Sequence, residues 1–502
     1  MDLTENPRVT QLADDGFEDL AARFVSFVAT RVSPGVASLV FASPLSVRSA
    51  DLSSIWHPGY RRLRWRQLPI LLGAALLMAF MKGIVKLLLF RRVFGMALYG
   101  EITDTLLVIS SSCGQESAEE RYSTSYVQTA NKDALCVFGP LADLGRKGQV
   151  CHPPAMWSQI VICWGLLAGG VRTAVMMDGS RRSRVVLLLQ WVGWVVSLDW
   201  RPLLILEESL TRVVTHRRVR RLGCVHEMHA YARIVWRVAA KHRLRSYAIQ
   251  HAPLSFSKRW YFPDKLECAA GLAVPDVFFV YDNDTIQLLR PYYARTTFLL
   301  GCSCRYLDWR DQAGGPPSPG GRHYLFVGGL ANYDNTVVFN ALRHLLESHA
   351  SMGPVRLRLH PMAVLSRGQR RLVRWMDKRK VVEVSSGTTL ADDLVHAHGV
   401  IGMGSSVLLQ ALLLGKPVIQ VVDPKYLPAI EVVQDEGAIQ AWWNEVSSDM
   451  LRRCRSAVTD PGRVRERLGL DQPLVTYTRL FDDSGITNLS THSLLPCERV
   501  AV

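Results

Sequence analysis

Paired cysteines are missing from this chain of 502 residues. Its ten cysteines are scattered without a CxxC spacing, and the nearest couple, Cys302 and Cys304, are separated by one residue. This pattern argues against a disulfide-framed domain and against a zinc site built from cysteine pairs. The N-terminal segment MDLTENPRVT also lacks the basic stretch and apolar core of a secretory signal. The sequence therefore predicts a protein of a reducing compartment, the cytoplasm.

Nucleic-acid-binding motifs are also missing. The chain has no zinc-finger spacing, no aromatic RNA-binding signature and no basic heptads, so we expect no nucleic-acid partner. It nevertheless carries a formal net charge of +15. An excess of this size predicts an anionic partner, either an acidic lipid surface or a charged substrate.

No uncharged run clearly reaches the length of a membrane span. Residues 68–81 form a run that is too short to cross the hydrocarbon layer, which takes about 20 residues, and the runs 155–171 and 185–198 are borderline. Arginines precede the third run, and Trp191 and Trp194 lie inside it. We expect at least two of the runs to be core helices. In addition, the sequence predicts peripheral contact with the anionic inner face of the cytoplasmic membrane. The alternative is that one of the runs is a membrane-spanning helix.

The domain boundary is marked by a segment rich in glycine and proline. Residues 311–322, DQAGGPPSPGGR, cannot form the interior of a helix or strand, so they are interpreted as a linker between an N-terminal domain, 1–310, and a C-terminal domain, 323–482, with a tail at 483–502. Alternating strand and helix patterns predict an α/β fold with parallel sheets. In the first domain we expect strands at Val36–Val47, Thr105–Ser110, Leu135–Leu141 and Pro202–Glu208, and a helix at Tyr122–Ala130.

The most informative stretch runs from Ala391 to Val422. It shows a short helix, an apolar strand, a glycine turn through Gly402 and Gly404 into Ser405 and Ser406, an apolar helix and a second strand. Glycines allow a close backbone approach, and the first N–H groups of a helix attract an anion, so this turn predicts a phosphate site. The alternative is that the serines only cap the helix.

A histidine follows an earlier predicted strand. The segment VRLRLHPM, residues 355–362, alternates apolar and arginine positions and ends in His360-Pro361. Ligands of open parallel sheets gather at the carboxyl ends of strands, so His360 is expected in the same crevice as Ser405 and Ser406. There it could donate a hydrogen bond to a phosphate or transfer a proton. The alternative is a histidine that only caps the strand before a turn.

The order of these motifs resembles the C-terminal half of GT-B glycosyltransferases, which have two Rossmann-like domains facing a cleft. More narrowly, it is similar to bacterial sialyltransferases, polysialyltransferases and related capsule enzymes that use CMP-activated sugars. The resemblance implies that His360 with Pro361, and Gly404 with Ser405 and Ser406, hold the donor phosphate. Gln410 stands at the position where many GT-B enzymes carry a glutamate that binds the donor ribose. The resemblance therefore implies that Gln410 contacts the donor, with glutamine in place of glutamate.

The N-terminal half contributes a second resemblance, to bacterial surface carbohydrate biosynthesis proteins. A helix carrying Glu227, a strand ending in Gln250-His251, an aromatic loop and a Pro-Asp strand follow one another in the order found in that family. The similarity covers roughly the last three hundred residues. It implies that Glu227 or His251 is the catalytic base, and Lys258 with Arg259 could meet an anionic acceptor or the sugar carboxylate. The alternatives are an exposed first-turn glutamate and a core histidine.

The sequence therefore predicts a metal-independent glycosyltransferase that needs no cofactor. Its expected partners are a nucleotide-activated sugar, with a CMP-sugar favoured, and a surface glycan or glycolipid acceptor. His360, Ser405 and Ser406 would stabilise the departing nucleotide. Three alternatives remain open: a teichoic-acid-type polyol-phosphate transferase, a non-catalytic scaffold of capsule assembly, and a sugar-nucleotide epimerase of GT-B shape.

Overall fold

A computed structural model describes most of the chain between residues 15 and 470. The described residues are 15–47, 77, 81, 83, 94–99, 104–110, 135–140, 149–152, 154–179, 181–224, 229–250, 254, 261–301, 306, 309, 322–329, 332–347, 354–360, 363, 365–378, 380–385, 388–403, 405–422, 438–457 and 459–470. The predicted helix at Tyr122–Ala130 and the predicted tail, 483–502, lie outside them.

The first half of the chain builds an eight-stranded sheet. Its strands are β1 (Phe94–Tyr99), β2 (Thr105–Ser110), β3 (Leu135–Pro140), β4 (Gln149–Val150), β5 (Arg221–Cys224), β6 (Arg245–Ile249), β7 (Val277–Val280) and β8 (Thr297–Leu300). They lie in the order β4-β1-β3-β2-β5-β6-β7-β8. The strands from β3 to β8 in this order are parallel, whereas β1 pairs antiparallel with β3 and with β4. The predicted strands at 105–110 and 135–141 are thus present.

Helices cover this sheet and account for much of the half. They are α1 (Asp15–Ala29), α2 (Pro34–Phe41), α3 (Pro44–Val47), α4 (Met156–Met176), α5 (Arg181–Val196), α6 (Arg201–His216), α7 (Ala230–His242), α8 (Lys265–Ala269) and α9 (Asn283–Leu289), followed by a 3-10 turn at Arg290–Tyr292. The long runs predicted at 155–171 and 185–198 fall in α4 and α5.

Two predicted strands are helical, and both predictions were wrong. Val36–Val47 forms α2 and α3, where the buried side chains of Val36, Leu39 and Val40 follow a helical spacing rather than an alternation. Pro202–Glu208 begins α6, in which a proline occupies the first turn and Leu206, Leu210 and Val214 are buried at intervals of four residues. A short apolar run is compatible with a strand or with a helix, and in both segments the burial of one helical face favours the helix.

The second half builds a six-stranded, all-parallel sheet. Its strands are β9 (His323–Val327), β10 (Val355–Arg358), β11 (Glu383–Val384), β12 (Ala397–Gly402), β13 (Val418–Val422) and β14 (Ile439–Trp442), in the order β11-β10-β9-β12-β13-β14. The helices are α10 (Asn332–Glu347), α11 (Arg367–Lys378), α12 (Leu390–Val395), α13 (Val407–Leu413), α14 (Ser448–Ser456) and α15 (Pro461–Arg467). This is the strand order of a doubly wound dinucleotide fold.

The two sheets share an apolar cluster. Ile249 and Phe279 of the first sheet lie in the same buried group as Val327, Leu408 and Leu468 of the second half. The α/β, two-sheet GT-B fold class predicted from the sequence is therefore confirmed. The domain limits at 310 and 322 stay a prediction, because the linker falls almost wholly outside the described residues.

Candidate functional site

The second sheet reverses its winding direction between β9 and β12. The chain runs from β9 outward to β10 and β11, then returns to place β12 on the other side of β9 before continuing to β13 and β14. At such a switch point the connecting helices lie on opposite faces of the sheet, which leaves a crevice at the carboxyl ends of the strands. This edge carries both sequence motifs.

His360 and the two serines flank β9 at this edge. His360 stands two residues beyond the end of β10, and Ser405 stands three residues beyond the end of β12. Neighbouring strands lie about 4.8 Å apart, so the axes of β10 and β12 are separated by about 10 Å. The structure thus brings the histidine and serine positions to one edge, on either side of the segment that follows β9.

The half-buried His360 sits in a defined turn. Its carbonyl oxygen accepts a 2.9 Å hydrogen bond from the N–H of Ala363. Pro361 lies outside the described residues. The turn fixes the backbone from which the imidazole projects.

The segment between the two motifs is a glycine pair. Gly328 extends the ladder, since its N–H donates to the carbonyl of Arg358 at 2.8 Å. A Cβ on Gly328 would lie 2.5 Å from Oδ1 of Asn335, and the amide of this fully buried asparagine donates to the carbonyl of Gly329 at 3.0 Å. The first two residues after β9, Gly328 and Gly329, therefore place no side chain between His360 and the serines. Sequence reasoning missed Asn335, because only the fold brings it beside the glycines.

The two serines differ in their hydrogen bonds. Ser405 Oγ accepts a 3.3 Å hydrogen bond from the N–H of Val407, and the Ser405 carbonyl accepts from Leu408 at 3.1 Å. Ser406 is the N-cap residue of α13, yet its side chain makes no capping bond and has no hydrogen-bond partner within the described part of the chain. Ser405 is therefore engaged in starting the helix, whereas the half-buried hydroxyl of Ser406 is available. Gly404, between Met403 and Ser405, lies outside the described residues.

Gln410 lies one helical turn beyond Ser406. Its side chain is buried at 7% exposure, and among the described residues its Oε1 has no hydrogen-bond partner. A buried amide oxygen without a partner is costly, so this position carries a polar group suited to a donor that the described residues do not provide. On β13, the strand next to β12, Gln420 Nε2 donates to the carbonyl of Met403 at 3.4 Å and so supports the loop that leads to the serines.

Close approach at the strand end requires Gly402. A Cβ there would lie 2.5 Å from Cγ2 of Val327 and 3.1 Å from Cδ2 of Leu408. Both neighbours are buried and cannot move aside freely. The glycine therefore lets β9, β12 and α13 pack at the switch point.

Arg356 and Arg358, the two arginines of the VRLR strand, form ion pairs within the protein. Arg356 and Arg358 share the carboxylate of the fully buried Asp393 on α12, at 2.8 Å and 2.6 Å. Burial would raise the pKa of Asp393, but hydrogen bonds from Ser385, Arg358, Thr388 and Arg356 together hold the pKa at about 2. This network anchors β10 to the helix that leads into β12.

The other residues of the acidic segment ADDLV, 391–395, and the Gly-Lys-Pro triplet, 415–417, have structural roles. Thr389 and Asp392 form a reciprocal capping box at the start of α12. After α13, Gly415 adopts φ +67° and its N–H donates to Leu412, while the N–H of Lys416 donates to Ala411, which together form a Schellman stop. The Lys416 ammonium donates to the carbonyl of Val395 at 2.8 Å. None of these groups points to ligand chemistry.

The candidate residues of the N-terminal half lie outside the described residues. These are Glu227, His251, Lys258 and Arg259. The strands before the first two are described: β5 ends at Cys224 and β6 at Ile249, and the two strands are parallel neighbours. Gln250 is buried, and its Oε1 accepts a 2.9 Å hydrogen bond from the N–H of Tyr281. Gln250 thus joins the carboxyl ends of β6 and β7.

The carboxyl edge of the first sheet faces the second half of the chain. Asp282, two residues beyond β7, and Asp284 pair with Arg467 of α15 at 3.7 Å and 2.5 Å. Helix α15 packs in turn against α13. The carboxyl ends of β6 and β7 therefore face the part of the second half that contains α13, the helix whose N-cap residue is Ser406.

A separate cavity of about 440 Å³ lies elsewhere. Its lining includes Arg243 and Arg245, just before and at the start of β6, and Asp276, just before β7, so it lies at the amino edge of the first sheet. The cavity is remote from the His360 and Ser406 edge and does not belong to this site.

Comparisons with known proteins give distant structural likenesses only. No family model and no curated protein sequence matches the chain. Among solved structures, the S. aureus MnaA–UDP co-structure is 10% identical with a TM-score of 0.44, covering 79% of this chain and 100% of its own. A UDP-GlcNAc 2-epimerase from Neisseria meningitidis bound to UDP-GlcNAc is 10% identical with a TM-score of 0.43, covering 77% and 100%. The glycosyltransferase SnogD from Streptomyces nogalater is 14% identical with a TM-score of 0.41, covering 76% and 99%.

Proposed function

We propose that this chain is a GT-B glycosyltransferase whose C-terminal sheet binds a nucleotide-activated sugar. The observation that carries the proposal is the carboxyl edge at the switch point, where the His360 and Ser406 positions flank the glycine pair Gly328-Gly329. A gap of about 10 Å between the axes of β10 and β12 suits a phosphate group held from both sides. The Ser406 hydroxyl and Gln410 Oε1, which have no hydrogen-bond partner among the described residues, supply a donor and an acceptor at the same edge.

The chemistry assigned to these residues is charge stabilisation. The His360 imidazole and the Ser406 hydroxyl donate hydrogen bonds to the phosphate oxygens, and these bonds strengthen as the nucleotide leaves with the glycosidic electron pair. The Gln410 amide oxygen accepts from a ribose hydroxyl. A CMP-sugar is the favoured donor, because the His-Pro and Ser-Ser pair resembles that of enzymes using CMP-activated sugars.

The acceptor is assigned to the first sheet. Glu227 follows β5 by three residues and His251 follows β6 by two, so both succeed the carboxyl ends of neighbouring parallel strands. That edge faces α15, which packs on α13. Either residue would take the proton of an attacking hydroxyl of a surface glycan or glycolipid, and Lys258 with Arg259 would meet its anionic groups.

Calorimetric titration of the full chain with CMP, CDP and UDP tests nucleotide binding. We expect His360→Ala and Ser406→Ala each to weaken binding at least about tenfold, since a hydrogen bond to a charged group contributes about 1.5 kcal/mol or more. The matched controls are His396→Ala and Ser456→Ala. The first removes a histidine at the opposite edge of the same sheet, and the second a serine at the end of α14. Equal affinity in all four variants, or no binding by the unmodified chain, would refute the proposal.

Product analysis separates the transferase from its alternatives. Incubation with a CMP-sugar and a glycan acceptor is expected to release CMP only when the acceptor is present. Transfer from CDP-glycerol would instead identify a polyol-phosphate transferase. Conversion of a sugar nucleotide without acceptor would identify an epimerase, and binding without any turnover would identify a scaffold.

A further inference from the structure

Helix α4 exposes an apolar face along its whole length. Six apolar side chains at helical spacing are each at least 45% exposed: Trp157, Ile160, Val161, Trp164, Val171 and Val175. We call these six the outer face of α4. Both tryptophans are 73% exposed. Large aromatic side chains are seldom left in water in this way, so the face marks an interaction surface.

The opposite side of the same helix is firmly packed in the core. Leu166 is fully buried, and its carbonyl accepts a 2.8 Å hydrogen bond from Nε1 of Trp191 on α5. Gly169 lies against Val28 and Val32, next to α1. The helix is long and apolar enough to cross a membrane by length and composition, but crossing would strip this packed side from α1 and α5. A surface in contact with only one side of α4 fits the structure.

The charges around α4 and α5 identify the kind of surface. Residues 151–198 contain four arginines and one aspartate. Arg172 is exposed on α4, and the Arg184 guanidinium donates to the carbonyls of Val175 and Met177 at 3.3 Å each, at the end of the helix. Tryptophan on an apolar face combined with flanking arginine is the composition of helices that lie in the headgroup region of an anionic lipid layer.

We propose that the outer face of α4 docks the protein in the plane of an anionic lipid surface. The two tryptophans and the aliphatic side chains enter the boundary between headgroups and acyl chains, while the arginines meet lipid phosphates. The α5 helix, whose Trp191 and Trp194 are buried, remains in the core. This proposal is independent of the nucleotide site, and its test contains no nucleotide.

Vesicle flotation of the full chain tests the docking. We expect binding to phosphatidylcholine vesicles containing phosphatidylglycerol, weaker binding to pure phosphatidylcholine, and release by high salt, which screens the arginines. The double variant Trp157→Gln/Trp164→Gln should lower the partition coefficient at least about tenfold, because two large apolar groups no longer leave water. The matched control is Trp375→Gln/Trp442→Gln, since these tryptophans are 41% and 45% exposed in the second half. It should bind as the unmodified chain does.

Three results would overturn the proposal. Equal flotation of the two double variants, with unchanged circular dichroism melting, would show that the outer face does not meet lipid. Resistance to alkaline carbonate extraction would show a spanning helix. Light scattering that finds a dimer, dissociated by Trp157→Gln/Trp164→Gln, would show that a second copy of the chain covers the face.

Discussion

Asp393 Oδ2 lies 2.6 Å from the Arg358 guanidinium, and this contact joins the two parts of the chain that lead to the candidate site. Arg358 is the last residue of β10, two positions before His360. Asp393 belongs to α12, which runs directly into β12 and from there to Ser405 and Ser406. An ion pair in this place fixes the spacing of the two motifs without contacting a ligand.

Asp393→Asn should destabilise the fold strongly. The carboxylate is fully buried and pairs with Arg356 and Arg358. Its loss leaves the partly buried Arg358 guanidinium without this counter-charge, whereas Arg356 keeps its ion pair with Glu383 at 2.6 Å. We expect a loss of about 3 kcal/mol in the free energy of unfolding, measured by urea denaturation at neutral pH. The matched control, Asp392→Asn, changes an exposed neighbour in the capping box and should cost clearly less. Equal losses in the two variants would contradict the role assigned to Asp393.

The contribution of Asp393 should depend on pH in a defined direction. Its pKa in the folded chain is held at about 2, below the value of about 3.9 for an unfolded aspartate. A lowered pKa adds stability that is complete above the unfolded value and disappears as the pH falls toward the folded value. The stability difference between the unmodified chain and Asp393→Asn should therefore stay constant from pH 7 to about pH 5 and shrink below about pH 4. A difference that shrinks between pH 7 and 5 would contradict this assignment.

The sequence was sufficient to predict the central strands of the second sheet. Apolar segments such as Val418–Val422, bounded by turn residues, identify parallel strands, and parallel strands place the residues that follow them at one edge. The placement of His360 and Ser405 at one edge follows from this rule once β9 lies between β10 and β12. The rule needs no knowledge of side-chain packing.

Other features depended on contacts that the sequence does not encode locally. The Val36–Val47 and Pro202–Glu208 segments are apolar enough for either element, and the neighbours that bury one helical face made them helices. Asp393 in the ADDLV segment, residues 391–395, pairs with two arginines that lie 35 and 37 residues away in the sequence. Such long-range pairings become visible only in the fold.

Ser405→Ala and Ser406→Ala should have opposite consequences. Ser405 Oγ accepts from the N–H of Val407, so its removal should lower stability by about 0.5 to 1 kcal/mol, with a smaller effect on nucleotide affinity. Ser406 makes no capping bond, so Ser406→Ala should leave stability within about 0.5 kcal/mol and weaken nucleotide binding about tenfold. Thermal unfolding and calorimetric titration of both variants measure the two effects. If Ser405→Ala instead weakened nucleotide binding about tenfold and Ser406→Ala lowered the stability, Ser405 would be the residue that binds the ligand.

Gly402→Ala should damage the fold and the site together. The added methyl group would lie 2.5 Å from Cγ2 of Val327 and 3.1 Å from Cδ2 of Leu408, which are both buried. Forcing these atoms apart costs about 1 to 3 kcal/mol and moves β9 relative to α13, so nucleotide affinity should fall as well. Gly368→Ala is the matched control, because its nearest neighbour would be Ser366 Oγ at 3.9 Å, and its stability should stay within about 0.5 kcal/mol of the unmodified chain. An unchanged melting temperature for Gly402→Ala would contradict the close packing of β9, β12 and α13 assigned to this glycine.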